Sequence, residues 1–301
     1  MTETLATPAI PLADTLDEGR LRAVFPDAPA DLSVPRDVGS MFSARMRSLG
    51  GTRRAFWIVV ASVVFIGGIV LALGGSVVLG AIVAAAPAVT IAIVAMVQHG
   101  RASDDFFDRY AAARGLVHVE DSHVDANVPL FSRGDKRKWG RVLDGTIAGQ
   151  RAALAHYTYT DVSTDSEGNR SETDYDFTCV RFRLPDQVAA RFAGVYCSPK
   201  KLGFGAIQDT LAHDRKVELE SAEFATKYTL RVVDSQDDVA LYELFSTTFV
   251  HRLATELTAY WEQRGGDLVV WRTGHETEAA DLDRMCLEAW HVLHRYQEEW
   301  R

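Results

Sequence analysis

The chain has 301 residues, 41 acidic against 32 basic side chains and a formal net charge of −9. It is long enough for one large domain or two ordinary ones, and it lacks the concentrated basic surface that a nucleic-acid partner requires. Its three cysteines, Cys179, Cys197 and Cys286, form no CxxC pair, which excludes a zinc ribbon or a thioredoxin-type redox site and suits small core residues in a reducing compartment.

Residues 1–50 hold five of the nine prolines, Pro8, Pro11, Pro26, Pro29 and Pro35. They read as a mostly disordered cytoplasmic arm with a short helix over 16–25, and no apolar signal-peptide core is present. From 55 to 97 there follow 43 residues without Asp, Glu, Lys or Arg. One helix of that length would reach roughly 65 Å at about 1.5 Å per residue, twice the about 30 Å of a hydrocarbon core. The turn-formers Gly74, Gly75 and Ser76 near the middle predict a transmembrane hairpin with spans at 55–73 and 77–97. Arg36, Arg45, Arg47, Arg53 and Arg54 before it and Arg101, Arg109 and Arg114 after it predict a multi-pass inner (plasma) membrane protein with both termini cytoplasmic. Pro87 predicts a kink in the second span, and Gly68 with Ala72 and Gly80 with Ala84 predict close packing within the hairpin. With no ionisable residue in either span, the hairpin reads as an anchor rather than an ion pathway.

Residues 102–301 then read as a cytoplasmic α+β domain with a mainly antiparallel sheet and two long helices. The second span continues as a helix through 102–114, closed by Gly115. Strand-like runs lie at 141–147, 152–160, 175–184, 195–197, 216–219, 227–233 and 268–272, with Ala148-Gly149-Gln150 as a hairpin signal and 161–174 as a polar insert. One helix is predicted over 237–264, stopped by Gly265-Gly266, and a last one over 276–300 whose stripe includes Leu282, Cys286, Ala289, Leu293 and Tyr296.

Two stretches carry a resemblance. The first runs Leu130-Phe131-Ser132-Arg133-Gly134-Asp135, Val142-Leu143-Asp144-Gly145-Thr146, Tyr157-Thr158-Tyr159 and Tyr175-Asp176-Phe177-Thr178-Cys179; the second is Val217-Glu218-Leu219-Glu220-Ser221-Ala222-Glu223-Phe224 with Tyr228-Thr229-Leu230. Over roughly residues 50–260 the chain resembles a family of uncharacterised bacterial, actinobacterial-type, two-span membrane proteins with a cytoplasmic domain of unknown function. Where that family usually has Asn after the aromatic residue of the second stretch, this chain has Ala225. The resemblance implies architecture and a bacterial inner-membrane location, with no catalytic residues to carry over.

Four constellations bear on chemistry. Asp104-Asp105-Phe106-Phe107-Asp108 spells DDxxD, which on a helix puts Asp104 and Asp108 on one face, where two carboxylates suit a hard cation. The insert 161–174 is dense in carboxylates around Gly168, but a calcium loop aligned on that glycine starts at Ser163 where Asp is required. Glu218 and Glu220 alternate on a predicted strand, and His291 and His294 lie three apart on the last helix without an identifiable third ligand. Arg133, Lys136, Arg137, Lys138 and Arg141 around Trp139 suit anionic lipid headgroups. No catalytic, cofactor-binding or metal-ligating residue is assigned.

The expected function is therefore a membrane-anchored interaction or scaffold module, with the lipid bilayer and an unidentified membrane or cytoplasmic protein as partners. The alternatives are a membrane-associated, metal-dependent hydrolase using Asp104, Asp108 or Glu218 with Glu220, and a lipid-surface-binding module.

Overall fold

A computed structural model describes residues 16–48, 60–62, 64–69, 73–74, 77–120, 122–200 and 214–298. The chain divides into two compact units, one of Met1–Leu32 with Ala111–Arg301 and the other of Ser33–Tyr110.

Among the described residues, the larger unit is organised by a nine-stranded antiparallel sheet. Its strands are β1 (Leu116–Val119), β2 (Lys136–Ile147), β3 (Gln150–Thr164), β4 (Arg170–Arg183), β5 (Gly194–Pro199), β6 (Asp214–Val217), β7 (Tyr228–Val233), β8 (Tyr260–Arg264) and β9 (Asp267–Thr273), in the spatial order β1-β2-β3-β4-β9-β8-β5-β7-β6. Register fixes the two faces, because successive side chains point opposite ways. Leu154, His156 and Thr158 of β3 share a face with Thr178 and Val180 of β4, Arg272 and Val270 of β9, and Trp261 of β8. Helices cover this face. Phe245 and Phe249 each lie 6.0 Å from the Trp261 ring, and Glu288 of the last helix reaches Arg272. On the opposite face Tyr157, Tyr159, Phe177, Cys179, Val269 and Trp271 form a core cluster closed by Val128 and Leu130 from the segment before β2. Trp261 and Trp271 are fully buried, and a buried ring of this size contributes roughly 2–3 kcal/mol.

The helices with described bounds are α1 (Glu18–Val24), α2 (Val38–Ser48), α3 (Val77–Arg114), α4 (Asp186–Arg191), α5 (Ala222–Lys227), α6 (Asp238–Leu244), α7 (Thr247–Thr255) and α8 (Ala279–Glu298). Asp17 caps α1 by accepting from the Arg20 amide, and Asp237 caps α6 by accepting from the Ala240 amide. The single helix expected over 237–264 is instead α6, α7 and β8. Gly265 and Gly266 both have positive φ and make a two-residue hairpin turn between Arg264 and Asp267, rather than stopping a helix. Ala148 and Gly149 do the same between β2 and β3. The polar insert 161–174 is mostly strand: β3 and β4 pair as far as Thr164 and Arg170, leaving a ribbon that extends past the residues paired to β2 and β9.

The transmembrane hairpin is corrected. Among the described residues no helix is long and apolar enough to cross a membrane, so the two-span fold, the membrane and transmembrane description, and the multi-pass inner-membrane location with cytoplasmic termini fall together. Within the expected first span, 55–59, 63 and 70–72 lie outside the described residues, and 60–62, 64–69 and 73 are helical. The expected second span is the start of α3, which runs on through Arg101, Asp104, Asp105, Asp108 and Arg109 and buries Ala102, Phe106 and Tyr110. A charge-free run supplies the length for two spans. It does not dictate that two separate helices of that length and polarity form.

In the arm, Val24 and Phe25 are completely buried and the Ala148 amide donates to the Val24 carbonyl. Arg114, at the end of α3, forks onto Asp283 of α8 with two 2.7 Å bonds and donates to the Leu32 carbonyl at 2.8 Å. Gly115 follows at φ +68, where a Cβ would sit 2.5 Å from the Asp27 carbonyl oxygen. Gly115→Ala is therefore expected to cost about 2 kcal/mol or more, from a left-handed alanine plus a backbone clash. Gly149→Ala is the control: φ is +74 with open space around it, so only the conformational part of about 1–2 kcal/mol remains. Urea midpoints of the two variants would separate the terms, and equal losses would remove the clash.

Candidate functional site

A group of titratable and polar side chains lies where the β9–α8 connection crosses β3 and β4. His156 points to the helix-covered face because β3 alternates around it. Its ring stacks on that of His275 with centroids 4.4 Å apart and planes 2° from parallel. His156 Nε2 is 3.0 Å from the Glu276 carbonyl oxygen, which only accepts, so this nitrogen carries the hydrogen. The Thr158 hydroxyl donates to Asp176 Oδ1 at 2.7 Å, leaving its oxygen to accept from His275 Nε2 at 3.2 Å. His275 Nε2 also lies 3.6 Å from Asp176 Oδ1 and 3.4 Å from the Tyr157 carbonyl. Burial, then the neighbouring His275, pushes the His156 imidazole down to about 3, so it is neutral at physiological pH. Burial raises the Glu276 carboxyl, with Asp281 adding to the shift.

This geometry limits the chemistry. A hydroxyl-histidine-carboxylate triad needs the carboxylate on the imidazole nitrogen opposite the hydroxyl. Here Thr158 and Asp176 meet the same nitrogen, and the hydroxyl hydrogen is directed to Asp176. Metal ligation fails too: imidazole lone pairs lie in the ring plane, and two parallel planes share no point. Among the described residues no group of three or more His, Cys, Asp or Glu converges on a metal position.

The residues singled out by sequence are scattered. Asp104 and Asp108 lie on α3, and Asp105 between them is engaged by Arg45. Glu218 and Glu220 lie beyond the end of β6 and are exposed, with Glu218 paired to Lys216 at 2.8 Å. In the ribbon tip Asp165 accepts from the Glu167 and Asn169 amides and the Asn169 side chain, a local turn, and the Asn169 bonds hold its carboxyl below the usual range. His291 meets Arg252 at 3.2 Å while His294 pairs with Glu298 at 3.3 Å, so the two do not share a ligand position. In the basic group Lys136 pairs with Glu172, Arg133 with the buried Glu262, and Arg137 donates to the Phe131 carbonyl. Trp139, Phe131 and Tyr157 pack together with centroids 4.6 to 5.0 Å apart, leaving no room for a cation between the rings. All three cysteines are buried, and burial raises the Cys179 and Cys197 thiols, which keeps them protonated.

Sequence reasoning missed the His156–His275 pair. The available signal was a histidine at an inward position among Ala153, Leu154 and Ala155; nothing local pointed to a partner in the β9–α8 connection. Compared with known protein families, curated proteins and solved structures, the chain finds no match.

Proposed function

We propose that the protein acts by binding, as an interaction module that docks an apolar protein surface through the unit of residues 33–110. One observation carries this. Of the twelve large apolar side chains exposed among the described residues, nine fall in that unit and three, Val117, Val239 and Tyr242, outside it. Leu73 is 83% exposed, and Val89, Ile93 and Val97 recur four apart on α3, one face of a helix. A grouping of this kind marks a docking surface on a protein that does not leave it bare. A protein surface is favoured over anionic lipid because the basic group around Trp139 is engaged within the chain through Lys136, Arg133 and Arg137. Among the described residues no carboxylates converge with other ligands to support the hydrolase reading.

A photo-crosslinking residue in place of Ile93 tests the proposal in cells, with one in place of Val239 as the control. Position 93 is expected to give a discrete protein adduct that Val89→Asp and Val97→Asp abolish, with none at 239. Equal labelling at both positions would overturn the reading, as would adducts with lipid alone. Turnover of a phosphoester, peptide or lipid by the purified chain, lost on a point substitution, would do the same.

A further inference from the structure

We propose that His156 and His275 form an acid-released clasp holding the connection between β9 and α8 against the sheet. The connection is stitched to β4 by three bonds around Gly274 and Glu276. The Gly274 amide donates to the Asp176 carbonyl at 2.7 Å, the Thr178 hydroxyl to the Gly274 carbonyl at 2.9 Å, and the Glu276 amide to the Thr178 hydroxyl at 2.8 Å. The stacked rings close this stitching from the β3 side: His156 donates to the Glu276 carbonyl and lies parallel on His275 at 4.4 Å. At that separation, protonation of both rings would set two imidazolium charges face to face in a largely buried place.

The charged groups around His156 come from three elements. Arg141 of β2 and His275 of the connection oppose its protonation, and Asp176 of β4 favours it. A base whose affinity for a proton falls on folding stabilises the closed state fully above its unfolded value of 6.5 and loses that contribution as pH falls toward about 3. Glu276 works the other way. Burial raises its carboxyl, so its protonation favours the closed connection and cannot account for acid release. The clasp is built from residues of the larger unit and the docking reading from residues 33–110, and neither proposal depends on the other.

Amide hydrogen exchange of the full chain between pH 7.5 and 5, corrected for intrinsic rates, reads the clasp directly. The Gly274 and Glu276 amides are expected to lose about tenfold or more of their protection over this window, since each unit of pKa difference is worth a factor of about ten. Strand amides such as Val269 should hold theirs. His156→Gln keeps a donor for the Glu276 carbonyl but cannot charge, and should make protection independent of pH. Flat protection in the wild type would overturn the proposal, as would an equal loss in His156→Gln. If that variant does not fold, the imidazole titration of His156 in the wild-type chain decides: protonation near 6.5 with the connection still protected would also overturn it.

Discussion

Replacing Glu288 by leucine is expected to destabilise the larger unit by about 3–5 kcal/mol, the range for removing one partner of a buried ion pair. Glu288 is fully buried on α8 and accepts from five donors. These are the Thr258 and Ala259 amides at 3.0 and 2.8 Å, the Thr258 hydroxyl at 3.2 Å, and the guanidinium groups of Arg272 and Arg284. One carboxylate thereby joins the last helix, the start of β8 and the middle of β9. Leucine fills the volume but leaves the Arg272 guanidinium, whose side chain is 11% exposed, without its counter-charge. It also strips two backbone amides of their acceptor, at about 1–3 kcal/mol each. Two further variants separate these contributions. Glu288→Gln keeps an acceptor oxygen for the amides and should recover part of the loss. Glu288→Leu with Arg272→Met removes the stranded charge yet leaves the amides unanswered, so it should recover a different part. Urea denaturation followed by tryptophan fluorescence gives the comparison. A loss under about 1 kcal/mol for Glu288→Leu would mean that water reaches these groups and that the carboxylate does not tie the elements together.

The strands were legible where alternation was strong. Ala152 to Thr160 and Tyr228 to Val233 alternate or run apolar between turn residues, and β3 and β7 lie there. Local pattern failed where a residue type has two uses. Gly265-Gly266 ends a helix or turns a hairpin equally well, and only the pairing of Arg264 with Asp267 decides for the hairpin. The uncharged run at 55–97 was misread for a related reason: freedom from charge reports what a segment can tolerate, not which neighbour covers it. The polar insert misled in the opposite direction. Its carboxylates suggested a loop, yet Asp135 accepting from the Val162 amide and Lys136 meeting Glu172 support a strand ribbon there. The His156–His275 pair and the Glu288 network are assembled from residues far apart in sequence. No spacing rule reaches them, because contact between strands and a late helix is fixed only by the closed sheet. Buried charge was equally hidden: Glu262, Glu288, Asp283 and Arg114 look like ordinary surface residues in a chain with 24% charged residues.

Arg114→Met should cost about 3–5 kcal/mol and release the stretch 16–32 from the larger unit. The guanidinium is 3% exposed, and its bonds include two parallel ones to Asp283 and one to the Leu32 carbonyl. It also stands 5.7 Å from the centre of the Phe25 ring. One side chain thus fastens the end of α3 to α8 and to the end of the arm. Methionine keeps the aliphatic reach but removes every bond, and the buried Asp283 carboxylate loses its forked partner. Arg114→Lys restores the charge without the planar fork, so it should recover only part of the stability. Limited proteolysis supplies the second readout, since cleavage requires a backbone segment to leave its packed position. Cleavage within 16–32 should accelerate in Arg114→Met well before the strands are attacked. If Arg114→Met lost stability but cleavage in the arm did not change, then Val24 and Phe25 hold the arm by burial alone. The guanidinium would then serve only to join α3 and α8.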